Sequence, residues 1–337
     1  MKHKMIFAMI LILVLVAAGC APKPAPVATE APTEVEPMSF SIATGGTGGV
    51  WYPLGGAIAS QVAATIPGAQ ITAESTTAAI DNLKLLVAGK VGMAFCYDYH
   101  VIWANEGKLT AVSADRQPIR IVMAFYEQPF HVVTTAATGI TSLADLKGKR
   151  VSTGAPNSGT EEQAGYVLKA LGIDWDKDMT REMLGVAESV AALKDGKIDA
   201  FFWSGAVPTS SIIDLASTVG MKMVLIPISG PDADTIMQAN PGVFHKTKIP
   251  AGAYAGVDAD VDTLGITAVL VAMEDLPAAQ VKQVVATVFD KKAEIAAVWK
   301  GAAKLTPESS ISQLSAEARA LLHSGSAEYF KAQGVLK

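Results

Sequence analysis

At 337 residues and 50% hydrophobic, the chain is long enough to bury one large core or two medium ones and too apolar to be disordered. Its formal charge is −5, and loss of Lys2 and Lys4 with a leader would make it −7, a mildly acidic balance that argues against a nucleic-acid partner. Two cysteines, Cys20 and Cys96, and five scattered histidines supply neither a disulfide framework nor metal-ligand spacing, so no cofactor is expected.

The N-terminus reads as a targeting segment. Met1-Lys2-His3-Lys4 is basic, Ile6 to Val16 is apolar, and Ala17-Ala18-Gly19-Cys20 offers a small-residue cleavage site. Residues 1–19 fit a secretory signal that is short for a membrane span. The Ala-Gly-Cys end resembles a bacterial lipobox, in which Cys20 becomes the lipidated N-terminus; the plainer alternative is an ordinary signal peptide cut near Gly19. Residues 20–37 are rich in Ala, Pro, Thr and Glu without apolar periodicity, the composition of a solvated tether. Together they predict a domain exported across the cytoplasmic membrane and held near a lipid bilayer through Cys20, in the periplasm or on the outer face of the cell membrane.

From Met38 onward the pattern alternates strand and helix. Strands are expected at 39–43, 70–74, 91–96, 119–125, 150–153, 198–203, 221–226 and 265–272. Helices are expected across 50–66, on the Ile80/Leu83/Val87 face, on Ala164/Val167/Leu168/Leu171, on Val186/Val190/Leu193, on Val281 to Phe289, and from Ser312 to the end. Such alternation predicts an α/β fold with mostly parallel sheets covered by helices.

The most informative stretch is Thr44-Gly45-Gly46-Thr47-Gly48-Gly49, between the first strand and first helix. Glycines leave backbone N–H groups uncovered, and a helix N-terminus adds partial positive charge, so the loop is suited to an anion. A dinucleotide loop is excluded because Trp51 stands where the third glycine of G-x-G-x-x-G belongs. The design recurs as Thr153-Gly154-Ala155-Pro156-Asn157-Ser158-Gly159-Thr160. There Ser158 and Glu161 form a capping box that leaves the Gly159 and Thr160 amides for a carboxylate. A Gly-Lys pair follows each loop at nearly the same distance: Gly89 lies 45 residues after Thr44, and Gly196 lies 43 after Thr153. These echoes predict a duplicated unit. Thr44, Tyr97, Thr153 and Ser204 all fall just past strand ends, where ligands of open α/β sheets sit. Ser75, Thr76, Asn157 and Trp203 are further candidate cleft residues, Asp98 reads as a helix cap, and Cys96 and His131 read as core. No Ser occupies a G-x-S-x-G elbow and no carboxylate pair stands out, so no enzymatic activity is expected.

These motifs resemble the TAXI family of solute receptors, which serve tripartite ATP-independent (TRAP) transporters. The resemblance rests on Thr44 to Gly56, Glu74-Ser75-Thr76 with Asp81-Asn82-Leu83, Ser142 to Val151, Gly154 to Glu161, Asp195 to Phe202 and Ile249 to Tyr254. It implies a type II periplasmic-binding-protein fold, two α/β lobes joined by crossing hinge strands with the ligand cleft between them. One lobe would comprise 38–134 and 260–337 and the other 135–259, hinged near His131–Thr134 and before Leu264. The implied ligand is a small organic anion such as glutamate or a 2-oxoglutarate-like dicarboxylate. Its expected contacts are Thr44, Gly45, Gly46, Thr47, Tyr52, Ser75, Thr76, Tyr97, Thr153, Pro156, Asn157, Ser158, Gly159, Thr160 and Trp203. The implied partner is a TRAP membrane permease, often a fusion of small and large subunits, with the receptor itself a monomer; the alternative is a receptor feeding an ATP-driven importer or a sensor kinase. Two departures bear on the ligand: Thr77-Ala78-Ala79 replaces the family's Gly-Gly-Ser, and Tyr97-Asp98-Tyr99 replaces Gln-Ser-Asp.

Overall fold

A computed structural model describes residues 38–337; the leader, the tether and Cys20 lie outside the described residues. The first half of the fold runs β1 (Ser39–Ala43), α1 (Trp51–Thr65), β2 (Gln70–Glu74), α2 (Ala79–Val87), β3 (Met93–Tyr97) and α3 (Asp98–Asn105). Strand β1 pairs in parallel with both β2 and β3, giving the order 2-1-3. After the long β4 (Ile119–Thr135), the plan repeats as β5 (Arg150–Ser152), α4 (Gly159–Ala170), β6 (Thr180–Glu182), α5 (Val186–Lys194) and β7 (Ala200–Ser204), in the order 6-5-7. Parallel neighbours require helical crossovers, which is why each half alternates as it does.

The Gly-Lys echo has a stereochemical basis. Gly89 (φ +64°) and Gly196 (φ +66°) each end a helix in the left-handed region. In both, the following Lys N–H reaches back into the last turn, Lys90 to Leu85 O at 2.9 Å and Lys197 to Ala192 O at 2.8 Å. These are matching Schellman caps, each of which needs a residue without a Cβ at the reversal.

Next come α6 (Ser210–Ala216), β8 (Met223–Leu225), α7 (Gly230–Ala239), β9 (His245–Ile249) and β10 (Val261–Met273). Strands β4 and β10 join the halves. Residues 119–129 of β4 pair antiparallel with β10, whereas Phe130–Thr134 pair with β7. One uninterrupted strand thus leaves the first lobe and enters the second between Pro129 and Phe130. The chain has a mixed α/β fold of two lobes with crossing strands and the sheet order β2-β1-β3-β10-β4-β7-β5-β6. The C-terminal helices α8 (Ala278–Asp290), α9 (Lys292–Val298), α10 (Pro307–Ser312), α11 (Ala316–Arg319) and α12 (Ser324–Ala332) return to the first lobe. There α9 packs on α1, and α11 on α3.

Several elements differ from expectation. Strand β4 continues ten residues past Phe125, because Pro129 sits where the strand changes partners and does not break it. Strands β6 and β9 carried no hydrophobic signal, being largely solvent-exposed. Beyond Ser312 the C-terminal tail is two short helices, α11 and α12, not one. Cys96 and His131 are both fully buried, as read.

Candidate ligand-binding cleft

A cavity of about 310 Å³ lies where the carboxyl ends of β1, β3, β5 and β7 face one another. Its wall draws on both lobes: Gly45 to Trp51 and Thr76 to Ala78 from the first; Gly154 to Pro156, Ser158, Thr160, Met183 to Glu188 and Trp203 to Ala206 from the second. Five helices of eight or more residues begin at it, because their N-caps Val50 (α1), Ala78 (α2), Tyr97 (α3), Ser158 (α4) and Gly185 (α5) all line the wall. Among the described residues no Lys, Arg or His lines it. Any attraction it exerts on an anion therefore has to come from peptide groups.

The glycine loop is held from below. Asn82, fully buried, donates to Thr44 O (2.6 Å) and Phe95 O (2.8 Å), tying the ends of β1 and β3 together. Thr44 Oγ1 donates to Glu74 O, and Ser75 Oγ donates to Gly45 O at 3.1 Å. Both hydroxyls are consumed by the scaffold, and neither residue lines the cavity. Helix α1 has no side-chain cap and no acid in its first turn. No acceptor among the described residues takes the amides of Gly46, Thr47 or Gly48.

The second loop is braced by side chains. Ser158 Oγ accepts from Glu161 N at 3.1 Å. Glu161 accepts from Asn157 N at 2.6 Å and pairs with Arg181, so its carboxylate is neutralised outside the wall. Thr153 is buried, accepting from Arg181 Nε at 3.0 Å. Asn157 (φ +59°) accepts from Lys84 Nζ at 3.1 Å across the lobe boundary. Gly159 lies against the Tyr97 ring, where an added Cβ would come within 2.1 Å of Cε2.

Of the fifteen expected contacts, Gly45, Gly46, Thr47, Thr76, Tyr97, Pro156, Ser158, Thr160 and Trp203 line the cavity. Thr44, Ser75, Thr153, Asn157 and Gly159 do not, for the reasons above, and Tyr52 is 37% exposed on α1. Asp98 is not an N-cap: it is the first residue of α3, and Tyr97 holds the cap position. The wall groups without a sequence signal are Tyr126 and Gln128, which lie on the unanticipated part of β4, and the N-terminus of α5. Gln128 Oε1 accepts from Ser204 Oγ at 3.4 Å, while its Nε2 donates to Tyr126 OH at 3.3 Å.

Behind Trp203 a buried chain fixes the ring. Trp203 Nε1 donates to Thr209 Oγ1 (3.0 Å), and Thr209 N donates to the Tyr254 hydroxyl (3.1 Å). That hydroxyl lies 3.1 Å from His131 Nε2, whose Nδ1 is 2.8 Å from Pro129 O. Burial pushes the His131 pKa down to about 4, leaving it neutral, the form that donates through Nδ1–H and accepts at Nε2.

The lobes also touch outside the cavity. Ser211 Oγ of α6 donates to Gly48 O at 3.0 Å. Glu162 of α4 takes Tyr99 OH at 2.7 Å and His100 Nε2 at 2.6 Å from the first lobe, and Tyr166 OH at 2.9 Å from its own. Burial alone would raise the Glu162 pKa, but the charge and hydrogen bond of His100 with the two phenols outweigh it and lower the pKa. Among the described residues no cluster of His, Cys, Asp and Glu could hold a metal ion, and no helix is long and apolar enough to cross a membrane.

Solved structures of similar fold include the periplasmic aliphatic sulphonate binding protein SsuA from Escherichia coli, at 14% identity over 89% of this chain and 94% of that one, TM-score 0.43. The alkanesulfonate-binding protein SsuA from Xanthomonas axonopodis pv. citri matches at 17% identity over 90% and 96%, TM-score 0.45. The GluR0 ligand-binding core complexed with L-glutamate matches at 10% identity over 80% and 99%, TM-score 0.46. Residues 42–334 match the NMT1-like family, and the chain belongs to that family.

Proposed function

We propose that this protein is an extracytoplasmic solute receptor that grips a small organic anion between two lobes and delivers it to a membrane transporter. The observation that carries the reading is the cavity itself: five helix N-termini and a glycine loop with unclaimed amides face one space that, among the described residues, has no cationic side chain. Peptide dipoles in such an arrangement stabilise negative charge without binding it covalently, so the ligand leaves unchanged. The crossing strands supply the hinge, β4 passing between the lobes at Pro129–Phe130, a few residues before the expected boundary at 134, and a ligand touching both sides favours the closed form. Cys20 acylation would keep the receptor at the bilayer. The TAXI-like motifs favour a TRAP permease, driven by an ion gradient, as the membrane partner.

Calorimetry of the purified protein against a library of small acids at pH 7, paired with small-angle scattering, tests the receptor. Binding with a decrease in radius of gyration is expected, and a library with no binder would refute it. Gly46→Val sharpens the test, because its Cβ meets nothing within 4 Å and the fold should survive while binding is lost. For the transporter, uptake by the reconstituted system should collapse with the ion gradient and persist without ATP; the reverse would assign an ATP-driven importer.

A further inference from the structure

Resting on the anion-receptor reading, we propose that the cleft selects ligands with one acid group and an apolar body, and rejects those carrying a second negative charge. The wall divides into two chemistries. One end is main-chain amide, supplied by the glycine loop and the helix N-termini. The rest is largely apolar: Trp51, Trp203, Met183, Leu184 and Val186, with the ring of Tyr97.

The polar groups on that side are already matched to one another. Tyr97 OH lies 3.5 Å from Ser204 Oγ, and Tyr126 OH accepts from Gln128. The Trp51 indole N–H has no acceptor, but it is fully enclosed by protein and carries no charge. The cations that touch the second loop are already committed: Lys84 donates to Asn157, and Arg181 pairs with Glu161 while stacking on Trp175. Among the described residues the only charged side chain in the wall is Glu188, in the first turn of α5, and it is an acid.

Helix N-termini together offer fractional positive charge suited to one carboxylate. A second carboxylate would leave water for an apolar wall with no counter-charge, and Glu188 would repel it. An unpaired charge in such a setting is strongly disfavoured. A hydrocarbon body gains from the same wall by losing its contact with water.

Calorimetry at pH 7 with matched pairs reads this directly: 4-methylpentanoate against glutarate, and leucine against glutamate. The single-acid member of each pair should bind about a hundred-fold tighter than its two-acid partner, as expected for one uncompensated buried charge. Glu188→Lys, which supplies the absent positive charge, should narrow that gap by about tenfold. Equal or tighter binding of glutarate and glutamate would overturn the proposed selectivity and leave the anion receptor standing. A gap unmoved by Glu188→Lys would overturn the charge argument. Failure of all four acids to bind, with other small anions binding, would overturn the selectivity alone; failure of every anion would bring down the receptor reading with it.

Discussion

The two halves share a β-α-β-α-β plan, the same strand order and the same Schellman-capped helix, yet their loops at the cleft are built in opposite ways. The first, Thr44 to Val50, contains four glycines, no capping side chain and amides left without a protein acceptor. The second, Thr153 to Ser158, spends its polar groups on itself through Ser158, Glu161 and Arg181. A repeated scaffold can thus carry one surface that stays open to a ligand and one that stays rigid. In the proposed receptor the first loop would supply the attraction, and the second a fixed wall against which the other lobe closes.

The largest expected effect comes from the place where the halves meet most tightly. Gly159→Ala would put a methyl 2.1 Å from the Tyr97 ring, which is too rigid to yield. The lobes would stay apart, and calorimetry should show a loss of affinity of about a hundred-fold or more, with scattering reporting a more open molecule. Unchanged affinity would mean that the lobes need not close at this point.

A second test concerns the titratable support behind Trp203. His131 keeps a pKa of about 4 when folded, against 6.5 when exposed. Its contribution to stability is therefore complete above pH 6.5 and is lost as pH falls toward 4, because the unfolded chain takes up the proton first. The loss amounts to about 3 kcal/mol. Urea denaturation at pH 7, 5 and 4 should show this decline, and His131→Gln should flatten it; parallel pH profiles would remove His131 from the explanation.

The smallest effects should have opposite signs in the two halves. Ser158→Ala removes the cap of α4 and should cost about 1 kcal/mol by thermal or urea denaturation. Ala78, at the start of α2, holds φ +94°, a conformation that L-residues rarely adopt. Ala78→Gly relieves that strain and should stabilise by somewhat under about 1 kcal/mol, since the glycine also gains freedom when unfolded. Loss of stability in Ala78→Gly would show that the methyl's contacts outweigh the backbone strain.

Much of this arrangement was legible because it is local. Periodicity marked α1 within one residue of its ends and the buried face of α2, and the Gly-Lys pairs marked two helix caps whose geometry only glycine accommodates easily. The turning away of Glu161 also followed from its place three residues after Ser158, although its carboxylate takes the amide of Asn157 and not that of the cap residue, so the capping box is only half formed. What could not be read depended on neighbours distant in sequence. Thr44 and Thr153 stand past strand ends like ligand donors, but Glu74 and Arg181, contributed by other strands, engage their hydroxyls. Tyr126 and Gln128 were hidden because a proline three residues or fewer away resembles a strand end, and only partner exchange between sheets explains its presence. The α5 N-terminus reaches the cavity through the sheet order, which no short motif encodes.

The pleat of β4 has one more consequence. Tyr126 and Gln128 border the cavity, so the intervening Glu127 points to the opposite face, where its Oε1 meets His245 Nε2 at 2.7 Å on the outside of the molecule. A guest that tilts this strand from within must also tilt the carboxylate beyond it. The imidazole resonances of His245 become a natural reporter, legible by NMR from the solvent side, of whether the chamber is filled.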